Sequence, residues 1–509
     1  MAAPHVIRGH LRALLEAEEG TIVKEAPLRV SLTYPSPYRA GMSSLGFQLL
    51  YREINGRPDA VAERAFLPDD IEGWRRSRLP LLTLETQQPV SHAQVIAFSL
   101  AYELEIGGLI ECLALAGLAP RARDRRADDP LVVLGGPITF SNPLPAAPFA
   151  DVVVMGEGEE VIHVLLDWVQ EGLSRDALLD RLAGVPGLYV PAVHGERLLP
   201  VVAVDNLRLP AVGQIRTPHT ELSNMHLVEA ERGCHRKCTF CVMRRSTNGG
   251  MRLADPDAIF ESIPEGARRV GLVGAAVSDH PKLVPIVERI VRSGREIGLS
   301  SLRADRLSDE LMALLREGGY KTLTVASDGA SERLRVALQK VIREEHLLSA
   351  AGYASRYGMR YLKLYMMVGV PGEESADIDE LVRFSREIAT ITPVALGIAP
   401  FVAKRNTPLD RRPFAGIPYV EGVLTRLKRE LRGRVDVRST SARWAWVEYA
   451  LAQGGFDMAE AALDAHAGGG TFAAWKRAIL EHGREVQPLD ADLRMGLPSG
   501  PFAAEALPA

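Results

Sequence analysis

The sequence is poor in cysteine and in aromatic residues, and it has no long uninterrupted apolar run. It contains 4 cysteines in 509 residues, and three of them fall within an eight-residue segment that cannot form a regular disulfide framework. The longest apolar-looking stretch, residues 95–118, includes three glutamates, and the N-terminus lacks the apolar core of a secretory signal. These absences argue against a disulfide-stapled secreted scaffold and predict a cytoplasmic protein without a transmembrane segment.

The sequence also lacks a strong excess of either charge. It has 60 lysines and arginines against 64 aspartates and glutamates, a formal net charge of -4. A chain with this balance is not expected to coat nucleic acid or an anionic membrane, which leaves only local basic patches for phosphate contacts. The candidates are Arg244, Arg245 and the basic stretch 428–438. The length and the 47% of hydrophobic residues are typical of two to four globular domains.

The first part of the chain alternates apolar, strand-like runs with helical periods. Runs such as LRVSLTY, QVIAFSL and PLVVLGG are apolar on both faces, which is typical of buried parallel strands. Residues 1–186 are therefore predicted to form an α/β domain with a doubly wound, Rossmann-like sheet. Four glycines follow its strands at the edge where such sheets bind ligands, namely Gly135, Gly136, Gly156 and Gly158.

The rest of the chain divides into three further segments. Residues 187–225 carry prolines and a turn at 194–196, which predicts a hairpin and linker. Across residues 226–420, six strand-like runs alternate with loops and helical segments, which predicts a partial (βα)6 TIM-like barrel. Residues 421–509 predict a small C-terminal helical module with a disordered tail. No role is assigned to the aromatic residues of that module, Trp444, Trp446 and Trp475.

Cys234, Cys238 and Cys241 carry the clearest chemical signal, in the segment ERGCHRKCTFCVMRR. A four-iron cluster needs a ligand for each iron, so three thiolates leave one iron with the open position typical of catalytic metal sites. The remaining cysteine, Cys112, lies on the apolar face of a predicted helix and is expected to be a buried, inert thiol. Zinc is the competing interpretation, but zinc sites usually pair two cysteine knuckles, and the sequence has no second pair.

This CxxxCxxC segment, with Phe240 before its third cysteine, resembles the radical S-adenosylmethionine superfamily, and the resemblance extends over about residues 226–415. It implies that the three cysteines bind a [4Fe-4S] cluster and that Phe240 lies at the cofactor. It also implies that S-adenosylmethionine chelates the open iron, accepts one electron and yields a 5′-deoxyadenosyl radical that abstracts a substrate hydrogen. Such chemistry requires an electron donor such as flavodoxin or ferredoxin.

Further cofactor-binding residues follow from the same resemblance. The segment VGLVGAAVSD stands where the family has a Gly-Gly-Glu motif that meets the methionyl amino group, so the candidates are Gly274, Ala275 and Ala276. The acidic residue of the motif is missing, and Ser278 and Asp279 are nearby polar substitutes.

Asp328 and Arg343 match two more positions. The segment ASDGASERLR resembles one in the tRNA methylthiotransferase branch, which implies that Asp328 holds ribose hydroxyls and that Arg343 pairs with the methionyl carboxylate. For Arg343 a solvated position on a helix is the alternative. The segment MMVGVPGEES resembles the stretch that backs the adenine, so Gly369 and Gly372 are candidates as well. For FVAKRNTPL, which resembles a later family segment, a rigid proline-bounded loop is as plausible as cofactor contact.

The N-terminal domain resembles the cobalamin-binding domain of cobalamin-dependent radical enzymes over most of residues 28–175, with GGP at 135–137 and GEGEE at 156–160. If cobalamin binds, the four glycines named above would approach it, and the loop 38–46 would face its lower side. The Asp-x-His-x-x-Gly motif that supplies a lower histidine ligand is absent. The alternative is an empty scaffold in which these glycines only turn strands into loops.

Three functions are therefore compatible with the sequence. The first is a radical enzyme that methylates an unactivated carbon with the help of cobalamin. The second is a radical enzyme acting on RNA or protein, in which the N-terminal domain is a docking scaffold. The third is an iron–sulfur electron carrier without catalysis. Methylthiotransfer is disfavoured because the sequence has no second cysteine triad. The substrate, small or macromolecular, stays open, and nucleic acid is not excluded.

Overall fold

The computed structural model describes residues 4–243 and 250–483 and divides the chain into two compact units. The N-terminal unit comprises residues 4–224 together with 450–483, and the barrel unit comprises 225–243 and 250–449. The predicted tail beyond residue 483 and the basic residues Arg244 and Arg245 lie outside the described residues. In the described part of the chain, no helix is long and apolar enough to cross a membrane.

The N-terminal unit is built on a six-stranded sheet with the order β2-β1-β3-β4-β5-β6. Its strands are β1 (Leu28–Tyr34), β2 (Ala60–Phe66), β3 (Val95–Ser99), β4 (Leu131–Gly135), β5 (Val152–Val154) and β6 (Leu188–Tyr189). β1 to β5 are parallel, and β6 is an antiparallel edge strand. All five residues of β3 are buried, because helices cover both faces of a doubly wound sheet. The predicted fold of this region is confirmed.

Eight helices accompany these strands in the described residues up to 224. They are α1 (Pro4–Glu16), α2 (Tyr38–Gly41), α3 (Leu45–Gly56), α4 (Ile71–Ser77), α5 (Glu105–Leu115), α6 (Val161–Gln170), α7 (Arg175–Ala183) and α8 (Pro191–His194). Several begin at a side-chain cap, as α3 does where the Ser44 hydroxyl accepts a hydrogen bond from the backbone N–H of Phe47.

The hairpin predicted for residues 187–225 does not form. β6 pairs with β5 instead of with a strand beyond the turn, and Pro191 starts the one-turn helix α8. Proline favours that position because it has no backbone N–H to leave unpaired. Farther along, Val202 forms a parallel bridge with Gly156, so the segment continues the N-terminal unit rather than linking two domains.

The barrel unit contains seven parallel strands in sequential order. The first six are β7 (Met225–Glu229), β10 (Arg269–Val273), β11 (Glu296–Leu299), β12 (Leu323–Asp328), β13 (Leu362–Val368) and β14 (Val394–Pro400), and the seventh is described below. A short antiparallel pair, β8 (Glu231–Gly233) and β9 (Met251–Leu253), lies between β7 and β10 in the sequence. One sheet joins β11, β10 and β7, another begins with β12, β13 and β14, and a parallel bridge between Leu302 and Val325 connects them. The predicted partial barrel is thereby confirmed.

The helices of the barrel unit lie between its strands. They are α9 (Pro256–Glu261), α10 (Leu283–Arg292), α11 (Asp309–Glu317), α12 (Glu332–Ala337), α13 (Glu344–Arg356), α14 (Ser375–Ile388) and α15 (Ile417–Glu430). In β13, Leu362, Leu364, Met366 and Val368 are buried, whereas the residues between them are half-buried or exposed. Such alternation places one face of the strand against helices and the other toward the barrel interior.

A last strand, β15 (Val435–Ser439), lies inside the segment predicted as a helical module. It pairs in parallel with β14 and extends the barrel to seven strands instead of six. The sequence VDVRS alternates as an edge strand does, with Val435 buried and Asp436 exposed. Its charged residues resemble those of the basic helix before it, which explains why the strand was missed.

The remaining helices are α16 (Ala442–Gln453), α17 (Asp457–Ala467) and α18 (Phe472–His482). α16 includes residues of both units, whereas α17 and α18 belong to the N-terminal unit. There α17 packs against α5, where His466 Nε2 lies 2.7 Å from a carboxylate oxygen of Glu111. Residues 421–483 are therefore mostly helical, as predicted, but they are divided between the units instead of forming one module.

Candidate functional site

The cysteine loop, residues 234–241, lies at the carboxyl end of the first barrel strands. Gly233 ends β8 with a φ of 85°, a conformation that favours glycine, and turns the chain into the loop. The Thr239 N–H donates to the Leu338 carbonyl at 3.1 Å, and the Thr239 carbonyl accepts from the Leu409 N–H at 3.2 Å. These backbone bonds fix the loop against two later segments of the barrel unit, at the face where barrel active sites lie.

The three thiols of the loop are protected from bulk water. Cys238 is buried, and Cys234 and Cys241 are half-buried. Burial raises the pKa of Cys234 and of Cys238, and it raises the pKa of Cys241 to about 11. Thiols in such surroundings are poor free nucleophiles, whereas a bound metal would deprotonate them. The Arg236 N–H lies 3.4 Å from Cys234 Sγ, which is the type of hydrogen bond that tunes cluster sulfurs.

Phe240, within the loop, packs against apolar residues of the barrel unit. It contacts an apolar cluster formed by Leu338, Val370, Phe401, Ala403 and Leu409. This cluster joins the cysteine loop to the segments that follow β13 and β14. The residue therefore has a packing role in addition to the cofactor position that the sequence predicts for it.

Asp279 is the centre of a charged network beside the loop. Its carboxylate accepts two hydrogen bonds from Arg236, at 2.7 and 2.5 Å, and lies 3.2 Å from Arg306 Nε and 3.9 Å from Arg303 Nε. Ser278, its neighbour, accepts a hydrogen bond from the Arg303 N–H at 3.0 Å. Because these arginines already neutralise Asp279, it is a poor substitute for the missing acid of the Gly-Gly-Glu motif.

A different acid occupies the turn 274–276, and the sequence analysis missed it. One carboxylate oxygen of Glu231 accepts the Ala276 N–H at 2.6 Å. A Cβ on Gly274 would lie 2.2 Å from the same oxygen, so glycine is needed there. Burial is the main reason why the pKa of Glu231 is raised to about 7. The available signal was its position three residues before Cys234.

Asp328 ends β12 with a φ of 63° and forms an ion pair with Lys340. After burial, the charges with the largest effects on the pKa of Cys238 are those of Lys340 and Asp328, so the pair lies beside the cysteine loop. Lys340 is a second residue that the sequence analysis missed. Arg343, in contrast, lies at the start of α13 with 67% of its side chain exposed and pairs with Glu345 at 3.4 Å. This is the solvated helix position that was its alternative.

The turn after β13 holds the two remaining glycine candidates. Gly369 and Gly372 have φ values of 74° and 80°, which L side chains rarely adopt. The Gly369 N–H donates to Glu373 Oε1 at 2.8 Å, and the Tyr419 hydroxyl donates to the same oxygen at 2.9 Å. The carboxylate of Glu373 thus holds the turn. No atom lies within 4 Å of a Cβ on Gly372, so there is open space beside that residue.

The glycines of the N-terminal unit fall into two pairs. Gly136 and Gly156 have positive φ, and a Cβ on them would lie 2.5 Å from the Leu100 carbonyl oxygen and 2.3 Å from that of Val202. The fold itself requires these two glycines. Around Gly135 and Gly158, in contrast, the nearest atoms to a Cβ would be 3.5 and 3.6 Å away. Both of these glycines flank Val154, so they form one patch in which the packing of the fold does not itself require glycine.

The loop 38–46 does not present Tyr38 to a ligand. The Tyr38 hydroxyl donates to Glu18 at 2.6 Å and lies 3.1 Å from the Thr217 hydroxyl, inside the N-terminal unit. Beside the loop, Glu105 accepts hydrogen bonds from Ser36 and from the Ala101 N–H, and so connects the ends of β1 and β3. Tyr38 therefore has a packing role, and the predicted orientation of the loop toward a corrin stays a prediction.

A doubly wound unit combined with a sequential partial barrel defines a class of two-domain α/β enzyme. A family model described as the N-terminal part of radical SAM proteins matches residues 46–191, and the model of the radical SAM superfamily matches residues 228–385. The two matches together span more than half of the chain. The chain therefore belongs to the radical SAM superfamily and is a radical SAM enzyme, and the cofactors of that superfamily are a [4Fe-4S] cluster and S-adenosylmethionine.

Two curated relatives are similar to the chain over half of its length or more. An uncharacterised protein of Methanocaldococcus jannaschii is 27% identical over 409 residues, which cover 78% of this chain and 83% of the relative. An uncharacterised methyltransferase of Pyrococcus horikoshii is 23% identical over 273 residues, which cover 50% of this chain and 58% of the relative.

Solved structures show the same fold. The radical S-adenosylmethionine methyltransferase TsrM from Kitasatospora setae, with cobalamin and a [4Fe-4S] cluster bound, aligns with a TM-score of 0.59 at 12% identity. The alignment covers 89% of this chain and 98% of TsrM. The apo form of OxsB, a cobalamin-dependent S-adenosylmethionine radical enzyme, aligns with a TM-score of 0.51 at 14% identity, covering 71% of this chain and 52% of OxsB.

Proposed function

We propose that Cys234, Cys238 and Cys241 hold one [4Fe-4S] cluster, at which S-adenosylmethionine is cleaved reductively. The observation that carries this proposal is the placement of three sheltered thiols in one loop at the carboxyl end of the barrel strands. Cys112 does not complete the ligand set, because it is fully buried in α5 of the N-terminal unit. When bound, the cluster supplies the electron that converts S-adenosylmethionine into methionine and a 5′-deoxyadenosyl radical.

The surrounding residues orient the cosubstrate and exclude water. Arg236, held by Asp279, fixes the first turn of the cysteine loop and places its own N–H against Cys234. Phe240 anchors the loop through its contacts with the apolar cluster of the barrel unit. Asp328 presents a carboxylate beside the loop, where it would accept hydrogen bonds from the ribose hydroxyls.

We further infer that the enzyme methylates an unactivated carbon and that the N-terminal unit holds cobalamin. The fold shared with TsrM and the relative named as a methyltransferase support this inference. The patch at Gly135 and Gly158 is compatible with the group, because a Cβ at either position would make only ordinary van der Waals contacts and the fold itself does not require glycine there. Cobalamin would supply a methyl carrier at these residues.

Anaerobic reconstitution with iron and sulfide, followed by reduction with S-adenosylmethionine present, tests the first proposal. Flavodoxin or a chemical reductant supplies the electron, and 5′-deoxyadenosine is measured. Alanine at Cys234, Cys238 or Cys241 should abolish both the cluster absorbance and 5′-deoxyadenosine formation, whereas Cys112→Ser should retain them. A cluster that assembles without cleavage of S-adenosylmethionine would instead favour the electron carrier.

The inference that the N-terminal unit holds cobalamin is tested by incubation with hydroxocobalamin, gel filtration and measurement of the corrin absorbance that stays with the protein. The wild type should retain the corrin, and Gly135→Leu or Gly158→Leu should lose it. Gly9→Leu is the matched control, since no atom lies within 4 Å of a Cβ there. Absence of a corrin band from the wild type would contradict the methylation mechanism. RNA retention that weakens as salt rises would favour the docking scaffold instead.

A further inference from the structure

Glu231 carries a buried carboxylate of which only one oxygen is hydrogen-bonded. The residue is 1% exposed, and one of its oxygens accepts the Ala276 N–H at 2.6 Å. The other oxygen, Oε2, is buried and has no hydrogen-bond partner among the residues that the structure describes. Buried polar atoms are nearly always paired in native proteins, so an unpaired carboxylate oxygen indicates a missing partner.

No lysine or arginine among residues 4–243 and 250–483 supplies that partner. Arg232 binds the carboxylate of Glu229 through two hydrogen bonds, at 2.7 and 2.8 Å, and Arg236 binds Asp279 in the same way. Within the described part of the chain, no lysine or arginine forms an ion pair with Glu231. The described part of the chain therefore leaves this buried acid without a positive counterpart, a place that a cationic ligand can fill.

The carboxylate lies between the two segments that the cosubstrate is expected to touch. It fills the turn 274–276 so closely that Gly274 has no room for a side chain. On the other side, Glu231 begins the short strand β8, which ends at Gly233 directly before the cysteine loop. An oxygen in this position borders both the cysteine loop and the backbone that follows β10.

We propose that Glu231 binds the α-ammonium group of S-adenosylmethionine and so replaces the missing acid of the turn. The cosubstrate has two cationic groups, a sulfonium and an ammonium, and only the ammonium donates hydrogen bonds. A charge-assisted hydrogen bond to Oε2 would satisfy the oxygen that the protein leaves unpaired. The inference rests on the proposed function, because it requires S-adenosylmethionine to bind beside the cysteine loop.

The test measures binding of two ligands by equilibrium dialysis to the anaerobically reconstituted, unreduced enzyme. One ligand is S-adenosylmethionine, and the other is its analogue without the α-amino group. Glu231→Gln keeps an oxygen for the Ala276 N–H and replaces the unpaired, charged oxygen by an uncharged NH2 group, which cannot accept a hydrogen bond from an ammonium group. It should weaken S-adenosylmethionine binding by about 10- to 100-fold and change binding of the analogue by less than about threefold. Glu265→Gln, an exposed glutamate in the same unit, should change neither.

Two further measurements keep the inference open to refutation. The wild type alone should prefer S-adenosylmethionine to the analogue by at least about tenfold. Gly274→Ala, which pushes a Cβ into the carboxylate, should reproduce the selective loss even if Glu231→Gln fails to load its cluster. Equal binding of both ligands by the wild type, or equal loss of both in the variants, overturns the role of Glu231. Wild-type enzyme that loads a cluster but forms no 5′-deoxyadenosine overturns the proposed function instead.

Discussion

Replacing Asp279 by asparagine should destabilise the barrel unit and loosen the cysteine loop. The Asp279 side chain is 1% exposed and is surrounded by Arg236, Arg303 and Arg306. Burial alone would raise the pKa of this carboxyl, but the hydrogen bonds and charge of Arg236, together with the charge of Arg303, outweigh it and lower the pKa. The ionised form is therefore the one that the fold stabilises.

The magnitude follows from the exposure of the partners. Removing one partner of a fully buried ion pair costs about 3–5 kcal/mol, and exposed pairs contribute about 0–1 kcal/mol. Because Arg306 is 52% exposed and Arg236 is 23% exposed, an intermediate loss of roughly 2–4 kcal/mol is expected. For a unit of this size that loss lowers the unfolding midpoint by about 5–12 °C.

Thermal unfolding of the cluster-free protein measures this loss of stability. Iron content after reconstitution measures how well the cysteine loop still assembles a cluster. Asp279→Asn should unfold earlier and load less iron than the wild type. Asp309→Asn is the matched control, because Asp309 forms its ion pair with Arg356 at the surface, and no change is expected. An Asp279→Asn protein with wild-type unfolding and iron content would refute the reasoning.

Three further predictions concern single residues. Gly136→Ala should destabilise the N-terminal unit by at least about 2 kcal/mol in urea unfolding, because its φ is 104°, whereas Gly135→Ala should change stability little. Lys340→Met should cost about 1–3 kcal/mol, since it leaves Asp328 without its ion pair, and wild-type stability in the same assay would contradict this. Burial would raise the pKa of Asp377, but bonds from Arg333 and Ser331 lower it, so its contribution is present above about pH 4 and is lost below it. The stability difference between wild type and Asp377→Asn should therefore shrink as the pH falls below about 4.

The sequence predicts the parts of the fold that depend on local pattern. The cysteine spacing and the position of the loop after the first barrel strand follow from neighbouring residues alone. Buried parallel strands such as β3 and β13 were also found, because apolar runs between turns specify them. β15 was missed because it is a charged edge strand that only its pairing with β14 defines.

The rest of the site depends on contacts between distant segments. Glu231 reaches the turn 274–276 across a gap of 45 residues, and no periodicity signals such a contact. Gly135 and Gly136 are adjacent in the sequence, yet only Gly136 is needed by the fold. The difference depends on the Leu100 backbone, which packing brings against Gly136. The distinction between a glycine that the fold requires and one that it does not require is therefore a tertiary property.

Mössbauer spectroscopy of the enzyme reconstituted with ⁵⁷Fe tests the central claim most directly. Three cysteine ligands leave one iron of the cluster without a protein thiolate. The account predicts a four-iron cluster in which the signal of one iron shifts when S-adenosylmethionine is added, and Cys112→Ser should behave in the same way. A spectrum that the cosubstrate leaves unchanged, or a protein that binds zinc in place of the cluster, would contradict it.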